Sequence, residues 1–149
     1  MSHVRHRIRD AIKSRLIGLP LTENRVYASH VYPIDMLPAI SVFAASEAVT
    51  EYYDSLDDVV QRHERDLEMR IEIRERGTAS MDGRLDSIAA QVEAALAADR
   101  LLGGLAVDMR LRDTTIELSG DSEQPAGLAT LRYAVMYRVL ASDPETVLV

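Results

Sequence analysis

The sequence predicts an α+β domain: a mostly antiparallel sheet of about four to five strands with two helices packed on one face, in the order α-β-β-β-α-β-β. Three observations predict it. Leu67-Glu-Met-Arg-Ile-Glu-Ile73 and Leu131-Arg-Tyr-Ala-Val-Met-Tyr-Arg-Val139 place apolar side chains at every second position, which is a strand's period. Residues 3–17 and 85–96 instead space their apolar residues three and four apart, as a helix facing a core does. Neither a repeat nor a composition break divides the 149 residues, so 1–149 reads as one domain, a size that buries roughly 70% of its unfolded surface without staples.

The elements follow in order. The first helix runs from His3 to Ile17, with Val4, Ile8, Ala11 and Ile12 on one side, joined by the stem of Arg15, and a basic opposite side. Gly18 and Pro20 end it. Arg25–Tyr32 reads as a strand closed by Pro33, and Ala39–Ala45 as a second that starts just after Pro38. Ser46–Gln61 has no clear period and carries Glu47, Glu51, Asp54, Asp57 and Asp58 with no basic residue, which predicts a long acidic loop. In the third strand Leu67, Met69, Ile71 and Ile73 face a core, while Glu68, Arg70, Glu72 and Arg74 face away. A Gly-containing turn at 76–83 leads to the second helix, marked by Leu85, Ile88, Ala89, Val92 and Leu96, with Ser80 or Asp82 as N-cap and Gly103-Gly104 as the stop. Leu105, Val107, Met109 and Leu111 alternate until Asp113-Thr114 shifts the phase to Thr114, Ile116 and Leu118. That pattern fits one bulged strand or a pair of strands. The stretch 120–127 turns the chain into the last strand, 129–140. Its second face mixes Arg132, Ala134, Met136 and Arg138, and such a face needs something to touch.

Composition narrows the chemistry. There is no cysteine, so disulfides and thiolate catalysis are excluded. The longest apolar-leaning run, Met36–Ala45, contains Pro38 and Ser41 and is far shorter than the roughly 20 residues of a membrane-spanning helix. The Arg-rich N-terminus lacks an apolar segment behind it, so a secretory signal is not expected. Net charge is −7, which argues against a general nucleic-acid binder. The charge is uneven: residues 1–30 hold six basic side chains against two acids, a balance of +4 that leaves −11 for the rest.

Motifs for phosphate cradles, dinucleotide binding, zinc hydrolysis and the nucleophile elbow are all missing. His3 and His6 stand one turn apart without a third metal ligand nearby, and His30 and His63 are isolated. The acids at 54, 57 and 58 lack the alternation and glycine of a calcium loop. No metal and no cofactor is therefore expected. Two features point to assembly instead. The basic side chains of the first helix, among them Arg5, Arg9 and Lys13, form either a solvated face or a patch that meets an acidic neighbour, and if that neighbour is a second copy its segment Glu47–Asp58 is the complement. Tyr52-Tyr53, beside Asp54, Asp57 and Asp58, either packs on the sheet or anchors a protein interface, a role tyrosine suits by offering much area at little entropy cost.

The ordered set of strings resembles the tail terminator proteins of long-tailed phages, the group that includes the minor tail protein U type. It comprises Pro38-Ala-Ile-Ser-Val42, the acidic segment with Glu47 and Asp54–Asp58, and Leu67-Glu-Met-Arg-Ile-Glu-Ile73. It continues with Leu85 opening the second helix and Ala129-Thr-Leu-Arg-Tyr-Ala-Val-Met-Tyr137 closing the domain. The alanine-rich helix 86–100 and the segment 141–149 depart from it. The resemblance implies a virion protein without catalysis, assembled in the host cytoplasm into the tail. It would form a homohexameric ring on the head-proximal end of the tail tube, contacting the major tail tube protein and a head-completion or neck protein, with genomic DNA passing through unbound. On that reading Arg70, Arg132, Met136 and Arg138 join the residues above as candidate subunit or tube contacts. A neck or head-completion component, and a small α+β ligand-binding domain, are the competing readings.

Overall fold

The structure, a computed structural model, describes residues 2–28, 36–77, 80–120 and 125–148. Helix α1 spans Val4–Leu16 and strand β1 Val26–Tyr27; β2 spans Ala39–Tyr52, β3 Arg62–Arg76, and α2 Met81–Ala97. A 3₁₀ turn at Leu102–Gly104 precedes β4 (Asp108–Ser119), β5 (Ala126–Leu140) and β6 (Asp143–Val147). The strands form one sheet ordered β1-β2-β3-β5-β4, with β6 pairing the end of β5; β1 runs parallel to β2 and the other pairs are antiparallel. The expected order α-β-β-β-α-β-β holds, and a sixth short strand follows it. Of the first strand expected at Arg25–Tyr32, Val26–Tyr27 forms β1, and the half from 29 to 32, His30 with it, lies outside the described residues.

Helix α1 buries Val4, Ile8, Ile12 and Leu16, a strict four-residue spacing that forms one narrow stripe. Lys13 and Arg15 in its last turn complement the dipole. Gly18 follows with φ +92°, a left-handed turn that only glycine adopts without strain, and its N–H donates to the Glu23 carbonyl at 2.8 Å. Ser80 takes the N-cap position of α2, which buries Met81, Leu85, Ile88, Ala89, Val92 and Leu96. Beneath the helices lie Leu67, Met69, Ile71 and Ile73 of β3 and Leu131, Tyr133, Val135, Tyr137 and Val139 of β5, all buried. At about 1.5–3 kcal/mol for each large apolar side chain withdrawn from water, this face dominates the favourable side of folding.

The segment Ser46–Tyr52 belongs to β2 and not to a loop. A bulge between Ala44 and Ser46 resets the phase: before it Ile40, Val42 and Ala44 oppose Ile73, Ile71 and Met69, and after it Glu47, Val49 and Glu51 oppose Leu67, Arg65 and His63. No single alternation survives such a shift. The acidic loop is thus the tip of a long β2–β3 hairpin, 53–61, and only its latter half matches the expected Ser46–Gln61. A second bulge, with Arg112 unpaired between Leu111 and Asp113, makes β4 one bulged strand and not two.

The approach of α2 to β5 is close at Gly127. A Cβ there would lie 2.7 Å from Met81 Cγ and 2.8 Å from Leu85 Cδ1. Gly127→Val is expected to lower the unfolding free energy by about 1–3 kcal/mol, because two buried side chains must leave their rotamers. Urea denaturation checks it, and a companion Met81→Ala change should recover part of the loss.

Candidate assembly surfaces

The sheet's second face touches itself. Cross-strand register places Glu64 beside Arg138 and Asp113 beside Arg132, and both pairs form ion pairs, Arg138 Nε to Glu64 at 2.8 Å and Arg132 gripping Asp113 through two nitrogens. Along β3, Arg70 donates to Glu68 at 2.8 Å and Arg74 to Glu72 at 3.1 Å. Arg132 also lies 4.0 Å from Glu68, and Arg112 lies 3.6 Å from Asp66. The Arg132 guanidinium holds the Asp113 carboxyl below its ordinary range and is itself raised by it. This lattice is exposed enough for water to screen it, so it contributes solubility and register more than stability. Arg70, Arg132 and Arg138 are thus engaged within the chain, while Met136 sits half-buried among them.

The helix-covered face carries a polar cluster where α1 begins. Glu47 accepts from Arg5 Nη1 at 2.7 Å, from Arg65 Nη1 at 3.3 Å and from the Tyr137 hydroxyl, although these groups come from four different elements. Glu47 and Arg65 side chains are only 10% and 12% exposed. Burial, then the Glu47 carboxylate, push the Tyr137 phenol far above its ordinary value. Burial, then the negative charge of Glu93, push Tyr133 up to about 12. Complementarity between the basic helix and the acidic segment therefore exists inside one copy, through Arg5 and Glu47. Other arginines of α1 are likewise engaged: Arg7 donates to the Glu145 carbonyl at 3.0 Å, Arg9 meets the His6 ring, and Arg15 grips Asp99. Lys13 is half-buried in the last turn.

His3 caps α1, its Nδ1 accepting from the Arg5 N–H at 3.0 Å, while its Nε2 lies 3.3 Å from Arg65 Nη1. Burial, then Arg5 and Arg65, lower its pKa from 6.5. A doubly protonated ring would turn N–H groups toward two donors. Because the folded pKa is depressed, the stability this group contributes is present above pH 6.5 and is lost as pH falls through the folded value. Thermal melts from pH 8 to pH 5 should show a falling midpoint, and His3→Asn, which keeps a capping oxygen, should flatten that part of the profile. The carboxylates of Asp58, Asp99 and Asp113 are lowered first by the Val60 N–H, Arg15 and Arg132 respectively, so their contribution disappears only in acid below 3.8.

The hairpin tip differs from both faces. Tyr52 lies beneath Arg138, whose guanidinium carbon is 5.9 Å from the ring centroid, whereas Tyr53 is half-exposed. Of the adjacent tyrosines, one ring lies on the sheet and the other stands toward solvent. Asp58 grips Arg62 and accepts from the Val60 N–H at 2.8 Å; Asp54 lies 3.2 Å from Arg62, and Asp57 is exposed. Leu56 and Val59 are almost wholly exposed at 105% and 91%. Sequence reasoning singled out the tyrosines and acids here and passed over these two apolar residues, whose only signal was their place among acids. No group of three or more histidine or acidic residues able to hold a metal occurs among the described residues, and no helix there is long and apolar enough to cross a membrane.

No family model and no curated protein matches the sequence. Among solved structures, a chain of the virion of a native gene transfer agent particle is similar to this chain, over 87% of this chain and 94% of that one, at 15% identity and a TM-score of 0.43.

Proposed function

We propose that the chain is a structural protein of a tailed virion, and that it caps the head-proximal end of the tail tube as a homohexameric ring. One observation carries the reading: large exposed apolar side chains gather at two places, the β2–β3 hairpin tip and the β4 edge, while the broad sheet faces are either buried or self-paired. Surface arranged in that way serves repeated contact between copies better than recognition of a small molecule. The ordered sequence resemblance to tail terminators supplies the particular role. A head-to-tail contact closes into a ring when the rotation per copy closes. Such a ring, seated on a tube, buries the growing end and stops addition, and a net charge of −7 disfavours adhesion of a passing duplex.

Two measurements test this. Light scattering across protein concentration, with negative-stain imaging, should find six-fold rings, and purified tail tube protein polymerised with the chain present should give shorter tubes with one decorated end. Rings that leave tube growth untouched would move the reading to the neck or head-completion side. A chain that is monomeric and leaves tube ends bare would end it.

A further inference from the structure

We propose that the ring closes through the β2–β3 hairpin tip of one copy seated on the Arg100–Arg112 end of the β4 edge of the next. This rests on the ring reading and names its interface.

The tip is acidic and apolar. Residues 49–61 hold Glu51, Asp54, Asp57 and Asp58 with no basic residue, and Tyr53, Leu56 and Val59 stand out among them. The β4 edge is basic and apolar. Arg100, Arg110 and Arg112 are 63%, 63% and 56% exposed, the first two sharing Asp108 at 3.5 Å and the third reaching Asp66 at 3.6 Å. These are long, loose pairs compared with those of Arg70 or Arg138, so the three guanidiniums keep donors to offer. Leu101, Val107 and Leu111 lie exposed between them. Charge of opposite sign surrounding apolar centres on both sides is the complementarity that fixes partner and register.

Topology makes the contact intermolecular. The tip closes β2 and β3 while the arginines sit on β4 and the turn before it, with β5 between. Three strand spacings, about 14 Å, separate β2 from β4. Each copy thus presents a tip to one neighbour and an edge to the other, the heterologous arrangement a ring requires. No strand among the described residues pairs with the outer side of β4, which leaves room for the seat.

The test exploits both the charge and the lack of cysteine. Asp54→Lys/Asp57→Lys and Arg110→Glu/Arg112→Glu should each reduce the assembled fraction at least tenfold, read by sedimentation velocity and on tube ends, with circular dichroism unchanged. Mixed in equal amounts they should reassemble, because each reversed tip then meets a reversed edge and each native tip a native edge, in alternation. Separately, Leu56→Cys mixed with Val107→Cys under diamide should form a disulfide-linked dimer at least tenfold faster than Leu56→Cys with Leu118→Cys, at the far end of β4. Rings that survive either reversal, a mixture that stays dissociated, or equal cross-linking at 107 and 118 would overturn this interface while leaving the ring itself standing. A native chain that forms no ring, in solution or on tubes, would overturn the interface together with the ring.

Discussion

Glu47→Leu is expected to lower the unfolding free energy by about 3–5 kcal/mol, the usual cost of removing one member of a buried ion pair. The carboxylate is the point at which α1, β2, β3 and β5 meet, through Arg5, its own strand, Arg65 and Tyr137. Without it the Arg65 guanidinium stays nearly buried with its Nε already lacking a partner, and the Tyr137 hydroxyl loses its acceptor. Desolvation that the pair had offset is then exposed in full. Tyr137→Phe, which removes one donor and no charge, should cost only about 1 kcal/mol. Replacing Glu47 and Arg65 together by Leu and Met should recover much of the single-variant loss, since an apolar pair of similar volume leaves no stranded charge. Urea unfolding of the four proteins measures all of this. Equal losses in Glu47→Leu and Tyr137→Phe would mean that the charge pair adds nothing beyond the hydroxyl contact.

The prominence of Glu47 was hidden in the sequence for a physical reason. Strands β3 and β5 are legible because each keeps one phase over a long run, β3 burying every second residue from Leu67 to Glu75 and β5 every second residue from Gly127 to Val139. Helix α1 is legible because Val4, Ile8 and Ile12 hold a single stripe. In β2 the bulge at Ala45 swaps faces midway, and beyond it Ala48, Val49 and Thr50 are all exposed, so no burial enforces a pattern. The segment therefore reads as a loop. β6 is harder still: Asp-Pro-Glu-Thr-Val is held by pairing with Val139 and Leu140 and by Arg7 on the Glu145 carbonyl, contacts that only the folded chain brings together. At the candidate assembly surfaces, the charged residues are legible in the sequence but their partners are not. The basic helix and the acidic segment do meet, yet Arg5 and Glu47 are 42 residues apart and join within one copy. The arginines of the mixed β5 face, which looked unengaged, find acids on adjacent strands by register alone.

Neighbouring residues on β5 should respond to alanine in opposite ways. Leu131 is fully buried opposite Ile71, and Leu131→Ala should cost about 2–5 kcal/mol, with the larger values if the helices cannot settle into the vacated space. Arg132, one position on, points to the self-paired face, and Arg132→Ala should leave the urea midpoint little changed, because its ion pair with Asp113 is exposed to solvent and salt. The Leu131→Ala and Ile71→Ala changes should not add, since one side chain relaxing into the gap left by the other reduces the second loss. If Arg132→Ala instead proved as costly as Leu131→Ala, the ion-pair lattice would be holding the sheet together rather than serving solubility and register. If it is cheap, that face is free to vary in charge without cost to the fold.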